Sequence, residues 1–215
     1  MKGAKAALLL VDLQNDFFPG GALGVPGAEA IFPLANDIQD HFEMVIASRD
    51  WHPADHKSFA KNHPGRTVYE VIDLNGLSQV LWPDHCVQET KGSLFHPKLR
   101  FDKISKIIFK GTDPTIDSYS AFFDNAHQKS TGLDVYLETK GINTIYIMGL
   151  ATDYCVQYSV LDAADLGLKV FVIEDGCYGI NKNPDDVEKA YENMRRAGAI
   201  IIKSAVIMQD DTKIK

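Results

Sequence analysis

Six short runs of apolar residues punctuate the chain: residues 6–11 (AALLLV), 44–47 (MVIA), 107–109 (IIF), 144–148 (TIYIM), 169–173 (KVFVI) and 199–202 (AIII). Their apolarity is continuous, not alternating. Strands of that kind are covered on both faces, which is the signature of a parallel sheet. Segments with helical spacing lie between them, at 28–42, 133–139, 153–166 and 184–197. Gly141, Gly167 and Gly198 stand where three of those helices should stop before the next strand. Strand and helix in alternation predict an α/β, doubly wound, Rossmann-like three-layer sandwich on a mainly parallel six-stranded sheet.

The rhythm fails between about residues 50 and 105, a stretch rich in Pro, His, Gly and Asp. A structureless loop of that length inside a compact domain is usually functional or disordered. Trp51, Phe59, Tyr69, Trp82 and Phe95 give it aromatic weight, so a packed insertion is expected. No repeat or linker divides the 215 residues, which read as one domain, 1–215, with a trailing terminus after Ser204.

Charge and cysteine content narrow the function. A net charge of −7 with no basic stripe speaks against a nucleic-acid partner and against an anionic membrane surface. Cys86, Cys155 and Cys177 are odd in number and widely spaced, which fits a reducing, cytoplasmic compartment better than a disulfide framework. The apolar run at 6–11 meets Asp12 too soon to be a signal peptide, and no stretch reaches membrane-spanning length.

Ligands of open α/β sheets bind beyond the carboxyl ends of the strands. The residues that come after the apolar runs are therefore the candidates: Asp12, Asp50, Lys110 and the segment 149–155. With Thr152 or Asp153 as N-cap, Cys155 falls in the first turn of a helix, where the helix terminus and a nearby Lys110 stabilise a thiolate. Cys155 alone could equally be a small core residue. Together with Asp12 and Lys110 it can make a nucleophile, a carboxylate to take its proton and a cation to orient that carboxylate.

A second cluster is Asp50-Trp51-His52 with His85 from Trp82-Pro83-Asp84-His85-Cys86. Mixed carboxylate and imidazole ligands suit zinc, iron or manganese, and three protein ligands leave positions open for substrate or water. His56 is either a further ligand or a surface residue, and Cys86 reads as packing. His41, His63, His96 and His127 read as ordinary surface or turn histidines.

The segments VDLQNDFFPGGAL (11–23), SRDWHPADHKSF (48–59), LWPDHCVQ (81–88), KG (110–111), DSYSAFFDN (117–125), GLATDYCV (149–156) and EDGCYG (174–179) resemble the nicotinamidase branch of the isochorismatase-like cysteine hydrolases. They run through most of the chain in that family's order. The resemblance implies a catalytic triad of Asp12, Lys110 and Cys155, with Asp50, His52 and His85 on one divalent metal, zinc first and iron or manganese as alternatives. It implies a non-proline cis peptide before Ala151 and an oxyanion hole from the backbone N–H groups of Ala151 and Cys155. Phe17, Trp82 and Tyr119 match the aromatic slot around the pyridine ring. The implied reaction is hydrolysis of nicotinamide to nicotinate and ammonia through a cysteine thioester, in NAD salvage, with pyrazinamide also accepted. The implied partner is thus a small-molecule substrate; a homo-oligomer is compatible with the sequence. The stretch Thr112-Asp113-Pro114 departs from the family's pattern, and the spacing from His52 to His85 is longer than in its shortest members.

Overall fold

The computed structural model describes residues 5–209 and residue 214. Eight strands are present among them: β1 (Lys5–Val11), β2 (Val45–Asp50), β3 (Val71–Leu74), β4 (Leu77–Val80), β5 (Ile104–Lys110), β6 (Ile142–Leu150), β7 (Lys169–Tyr178) and β8 (Ile200–Ile202). Six form one sheet in the order β5-β2-β1-β6-β7-β8, and every neighbouring pair is parallel. Each apolar run of the sequence is the heart of one of these strands.

Helices α1 (Ile31–Asp37) and α5 (Ala205–Met208) pack on one face, and α2 (Leu133–Lys140), α3 (Gln157–Asp165) and α4 (Asp186–Arg196) on the other. The alternation within β1 shows why its apolarity had to be continuous. Leu8 and Leu10 join Ile31, Phe32 and Ile38 on the α1 face, while Ala7 and Leu9 join Leu137, Val160 and Met194 on the opposite face. Both sides of the strand are core, so neither can be polar.

Four expectations change. The helix expected over 28–42 is a 3₁₀ turn (Ala28–Ala30), α1 and a second 3₁₀ turn (Ile38–His41) in succession. The helix expected to begin at 153 begins as a π-helical turn, Thr152–Val156, before α3 takes over. The segment after Ser204 is not merely trailing: it forms α5, with Ile207 buried, and residues 210–213 and 215 lie outside the described residues. The insertion also carries regular structure, the antiparallel hairpin β3–β4. Its turn is Asn75-Gly76, both at positive φ (56° and 84°), the backbone that a two-residue hairpin loop requires.

Among the described residues no helix is long and apolar enough to cross a membrane.

Candidate active site

The chain runs from β1 outward through β2 to β5, then crosses to the other side of β1 for β6, β7 and β8. The strand order therefore reverses between β1 and β6, and a crevice opens there at the carboxyl ends. Asp12 comes directly after β1, Asp50 ends β2, Lys110 ends β5, and Ala151 comes directly after β6. Parallel register does the fine positioning: Asp50 pairs directly with Lys110, so their side chains emerge side by side.

Lys110 is the hub. It is only 2% exposed, and its Nζ lies 2.9 Å from Asp50 Oδ1 and 2.9 Å from Asp12 Oδ2. It also donates to the Ser118 carbonyl at 3.2 Å and to Cys155 Sγ at 3.3 Å. Burial opposes the charge, but Asp12, Asp50 and the Cys155 sulfur outweigh it and hold the ammonium well above the ordinary lysine value. One buried cation thus joins two groups of residues that the sequence suggested separately.

Asp12 has no exposed surface, and Ser48 Oγ donates to its Oδ1 at 2.7 Å. The ion-pair distance to Lys110 is short, yet Oδ2 has no aligned hydrogen-bond donor, which leaves that oxygen open to a proton. Burial raises the Asp12 carboxyl above its ordinary value, and Asp50 adds to this against the opposing pull of Lys110 and Ser48. Cys155 is likewise pushed well up by burial, with Lys110 lowering and Asp12 and Asp50 raising. Burial thus favours the thiol, against the stabilisation of a thiolate that the helix terminus and Lys110 would give, and it makes a base for the thiol proton necessary. The expected cap is absent. Ala151 occupies the N-cap position, and Asp153 instead accepts the N–H groups of Ile180 and Asn181, at 2.9 and 2.7 Å. The Leu150–Ala151 peptide is cis.

Asp50, His52 and His85 are all buried, and their donor atoms lie within 4.8 Å of one another. His52 Nδ1 donates to the Gly111 carbonyl at 3.0 Å and His85 Nδ1 to the Pro83 carbonyl at 2.8 Å. Each neutral ring then turns a bare Nε2 lone pair toward Asp50 Oδ2, at 3.0 and 3.3 Å. Three electron-rich atoms facing one another repel unless a proton or a cation lies between them. Ligand bonds of about 2.0–2.2 Å set neighbouring donors roughly 3.0–3.4 Å apart, so the set fits a small divalent metal. Backbone carbonyls fixing the outer ring nitrogens are the usual support for such histidines. Without a metal, burial lowers the affinity of His52 for a proton but Asp50 raises it more, for a net increase, while Asp50, despite burial, is held well below the carboxylate range by His52 and Lys110.

His56, left open by the sequence, is buried beside His52, with ring centroids 4.4 Å apart. Its Nδ1 sits 2.7 Å from Ser58 Oγ, its Nε2 has no hydrogen-bond partner among the described residues, and burial pushes its pKa down to about 4. With His52 and Asp117 it makes a second group of close donor atoms. His56 is a core residue at the rim of the metal-type cluster, not a surface one.

Phe17, Trp82 and Tyr119 line one cavity with Asp50, His52, His85, Ala151 and Cys155. Its space is about 320 Å³, mouth included. Trp82 Nε1 donates to Tyr119 Oη at 3.2 Å. Four further lining residues were assigned no role from the sequence: Leu23, Asp117 and Tyr154 lie within segments that carry the resemblance, and Ile180 directly follows one. Tyr154 stands edge-on to Trp82 at 4.7 Å and 85°, and burial lifts its pKa to about 12. Gln14 was assigned no role either: its amide bridges the backbone of Asp50 in both directions, at 2.7 Å each, and so fixes the end of β2. Cys86 is fully buried, its N–H donating to Asp16 Oδ2 at 2.7 Å, which agrees with a packing role.

The isochorismatase domain family matches residues 6–206. The chain belongs to that family. Within the isochorismatase family its near relatives are nicotinamidases: the enzyme of Escherichia coli (strain K12) is 51% identical over 199 residues, spanning 91% of this chain and 93% of that one. A solved nicotinamidase/pyrazinamidase of Acinetobacter baumannii superposes with a TM-score of 0.93 at 45% identity, covering 96% of this chain and all of the other. The pyrazinamidase of Pyrococcus horikoshii, solved in complex with zinc, gives 0.75 at 36% identity over 93% and 99% of the two chains.

Proposed function

We propose that this isochorismatase-family chain is a nicotinamidase, an amidohydrolase that converts nicotinamide to nicotinate and ammonia, with Cys155 as its nucleophile. The observation that carries the catalytic reading is the Lys110 ammonium, which touches Asp12, Asp50 and the Cys155 sulfur at once. A carboxylate raised by burial is a suitable base for a thiol that is itself raised.

In this reading the pyridine ring lies between Phe17, Trp82 and Tyr119, with its carboxamide over Cys155. Asp12 takes the thiol proton as sulfur attacks the carboxamide carbon. The oxyanion that forms is received by the backbone N–H groups of Ala151 and Cys155; a donor of this kind is worth roughly 10²–10³ in rate. Asp12 returns its proton to nitrogen, the C–N bond breaks, and ammonia departs from a thioester. Asp12 then deprotonates water, which attacks the thioester. The C–S bond breaks, the sulfur takes the proton back from Asp12, and nicotinate leaves. Lys110 keeps Asp12 oriented throughout and offsets its charge.

Asp50, His52 and His85 would hold one divalent ion, with zinc the metal expected first, and the packed insertion over about 50–105 supplies both histidines. When bound, the ion supplies a Lewis acid that anchors the ring nitrogen. The three free cysteines agree with a cytoplasmic setting and with a single domain that needs no disulfide.

Product analysis by chromatography tests the substrate assignment. Nicotinamide should yield nicotinate and pyrazinamide should yield pyrazinoate. Turnover of isochorismate or an N-carbamoyl compound in preference to either would displace this reading.

A further inference from the structure

The strands of the hairpin β3–β4 are otherwise exposed or half-buried, and their single buried side chain is polar: Gln79, 2% exposed. A buried amide is kept only where its hydrogen bonds are made. The two hydrogens on Gln79 Nε2 serve three acceptors, one of them shared: the neighbouring Val80 carbonyl (2.7 Å), Asp117 Oδ2 (3.0 Å) and Tyr119 Oη (3.2 Å). The Val80 carbonyl and the Asp117 carboxylate can only accept, so the amide cannot be reversed without setting oxygen against oxygen at both. Trp82 Nε1 donates to the same Tyr119 oxygen. Asp117 and Tyr119 both line the cavity of the candidate site, whereas Gln79 does not. The hairpin thus reaches the site through one amide, and that amide grips a lining carboxylate and a lining phenol together.

We infer that Gln79 is a positioning residue of the substrate slot: it fixes Tyr119 against Trp82 and so sets the width of the gap that receives the aromatic ring. The inference rests on the reading of Phe17, Trp82 and Tyr119 as that slot. Gln79 touches neither the Cys155 sulfur nor Asp12, so the chemical step should be largely untouched. Its loss frees Tyr119 to turn and leaves Asp117 Oδ2 without a donor. Ring binding then weakens while kcat holds.

Steady-state kinetics on the full-length, metal-replete protein test this with Gln79→Leu, Gln79→Glu and Tyr119→Phe. Gln79→Leu removes the donor. Gln79→Glu keeps length and volume but sets its oxygens against the Val80 carbonyl and the Asp117 carboxylate, and it carries the test should the leucine variant not fold. Either Gln79 change should raise KM for nicotinamide about tenfold, with kcat within about threefold of wild type, the scale of one lost charge-assisted hydrogen bond. Gln79→Leu combined with Tyr119→Phe should be no worse than the more damaging single change, because both act on one contact. Wild-type KM in both Gln79 variants, a loss confined to kcat, or fully multiplicative effects in the double variant would overturn the inference while leaving the nicotinamidase reading intact. A wild-type protein that does not turn over nicotinamide would overturn the reading, and the inference with it.

Discussion

Replacing Lys110 by methionine removes the one cation between two buried carboxylates. Methionine fills nearly the same volume, so the effect is electrostatic and not a cavity. In the wild type the ammonium sits 2.9 Å from Asp12 and 2.9 Å from Asp50, and all three side chains are at most 4% exposed, so solvent screens little of the interaction. Breaking a buried pair by deleting one partner typically costs about 3–5 kcal/mol, because the other charge is left uncompensated. For a chain of this size each kcal/mol lowers Tm by about 2–4 °C, which gives a drop of roughly 6–20 °C. The sign of the pH dependence comes from the same contacts. Wild-type Asp50 is held below its ordinary value, so its contribution is present above pH 3.8 and fades only as the pH falls through the depressed value. In the variant Asp12 and Asp50 face each other without the ammonium between them, and protonating either carboxylate, or His52 beside Asp50, relieves them. The gap in Tm between variant and wild type should therefore widen from pH 5 to pH 8. Differential scanning calorimetry across that range, on metal-free protein, reads it directly. A Tm within about 2 °C of wild type at both pH values would refute the electrostatic account of Lys110.

Three further outcomes rest on the same geometry. Cys155→Ala should lose at least about 10⁴-fold in kcat yet still bind nicotinamide by calorimetry, since the nucleophile is gone and the slot remains. Gly111→Ala should weaken metal binding about 10–100-fold in a competition titration. Gly111 has φ +64°, an added Cβ would collide with the His52 ring, and its carbonyl holds that ring in place. Metal affinity should fall as the pH drops, beginning above pH 6.5, because His52 is raised and must lose its proton to coordinate. Without metal the sign reverses: the His52–Asp50 ion pair stabilises the fold below pH 6.5 and is lost as the pH rises through the raised value, which a pH series of apo Tm values would register.

The strand ends were legible because short continuous apolar runs read as strands of a parallel sheet, even though the edge strands β5 and β8 leave Phe109 and Ile200 exposed, and the end of such a strand lies at the crevice. Asp12, Asp50 and Lys110 came from that rule alone. Their union through one ammonium did not, because register is a property of paired strands: Asp50 opposite Lys110 cannot be read from either strand. Gln14 and Gln79 were invisible for a related reason. A glutamine looks like surface until tertiary contacts bury it, and both are buried by bonds to residues more than thirty positions away. The hairpin was a different kind of miss, since Asn75-Gly76 between apolar stretches is a strong local turn signal. The π-helical turn that carries Cys155 leaves no side-chain signature, and Asp153, a good cap by type, is drawn away by the backbone of 180 and 181.

The central claim is that Cys155 does the chemistry in a site completed by the metal group beside it. Ammonia release from nicotinamide, measured on the wild type, on chelator-treated wild type and on Cys155→Ala in parallel, tests it most directly. The account predicts steady release from the wild type, loss on chelation with recovery when zinc is restored, and none from the variant. Appreciable ammonia from Cys155→Ala would contradict it.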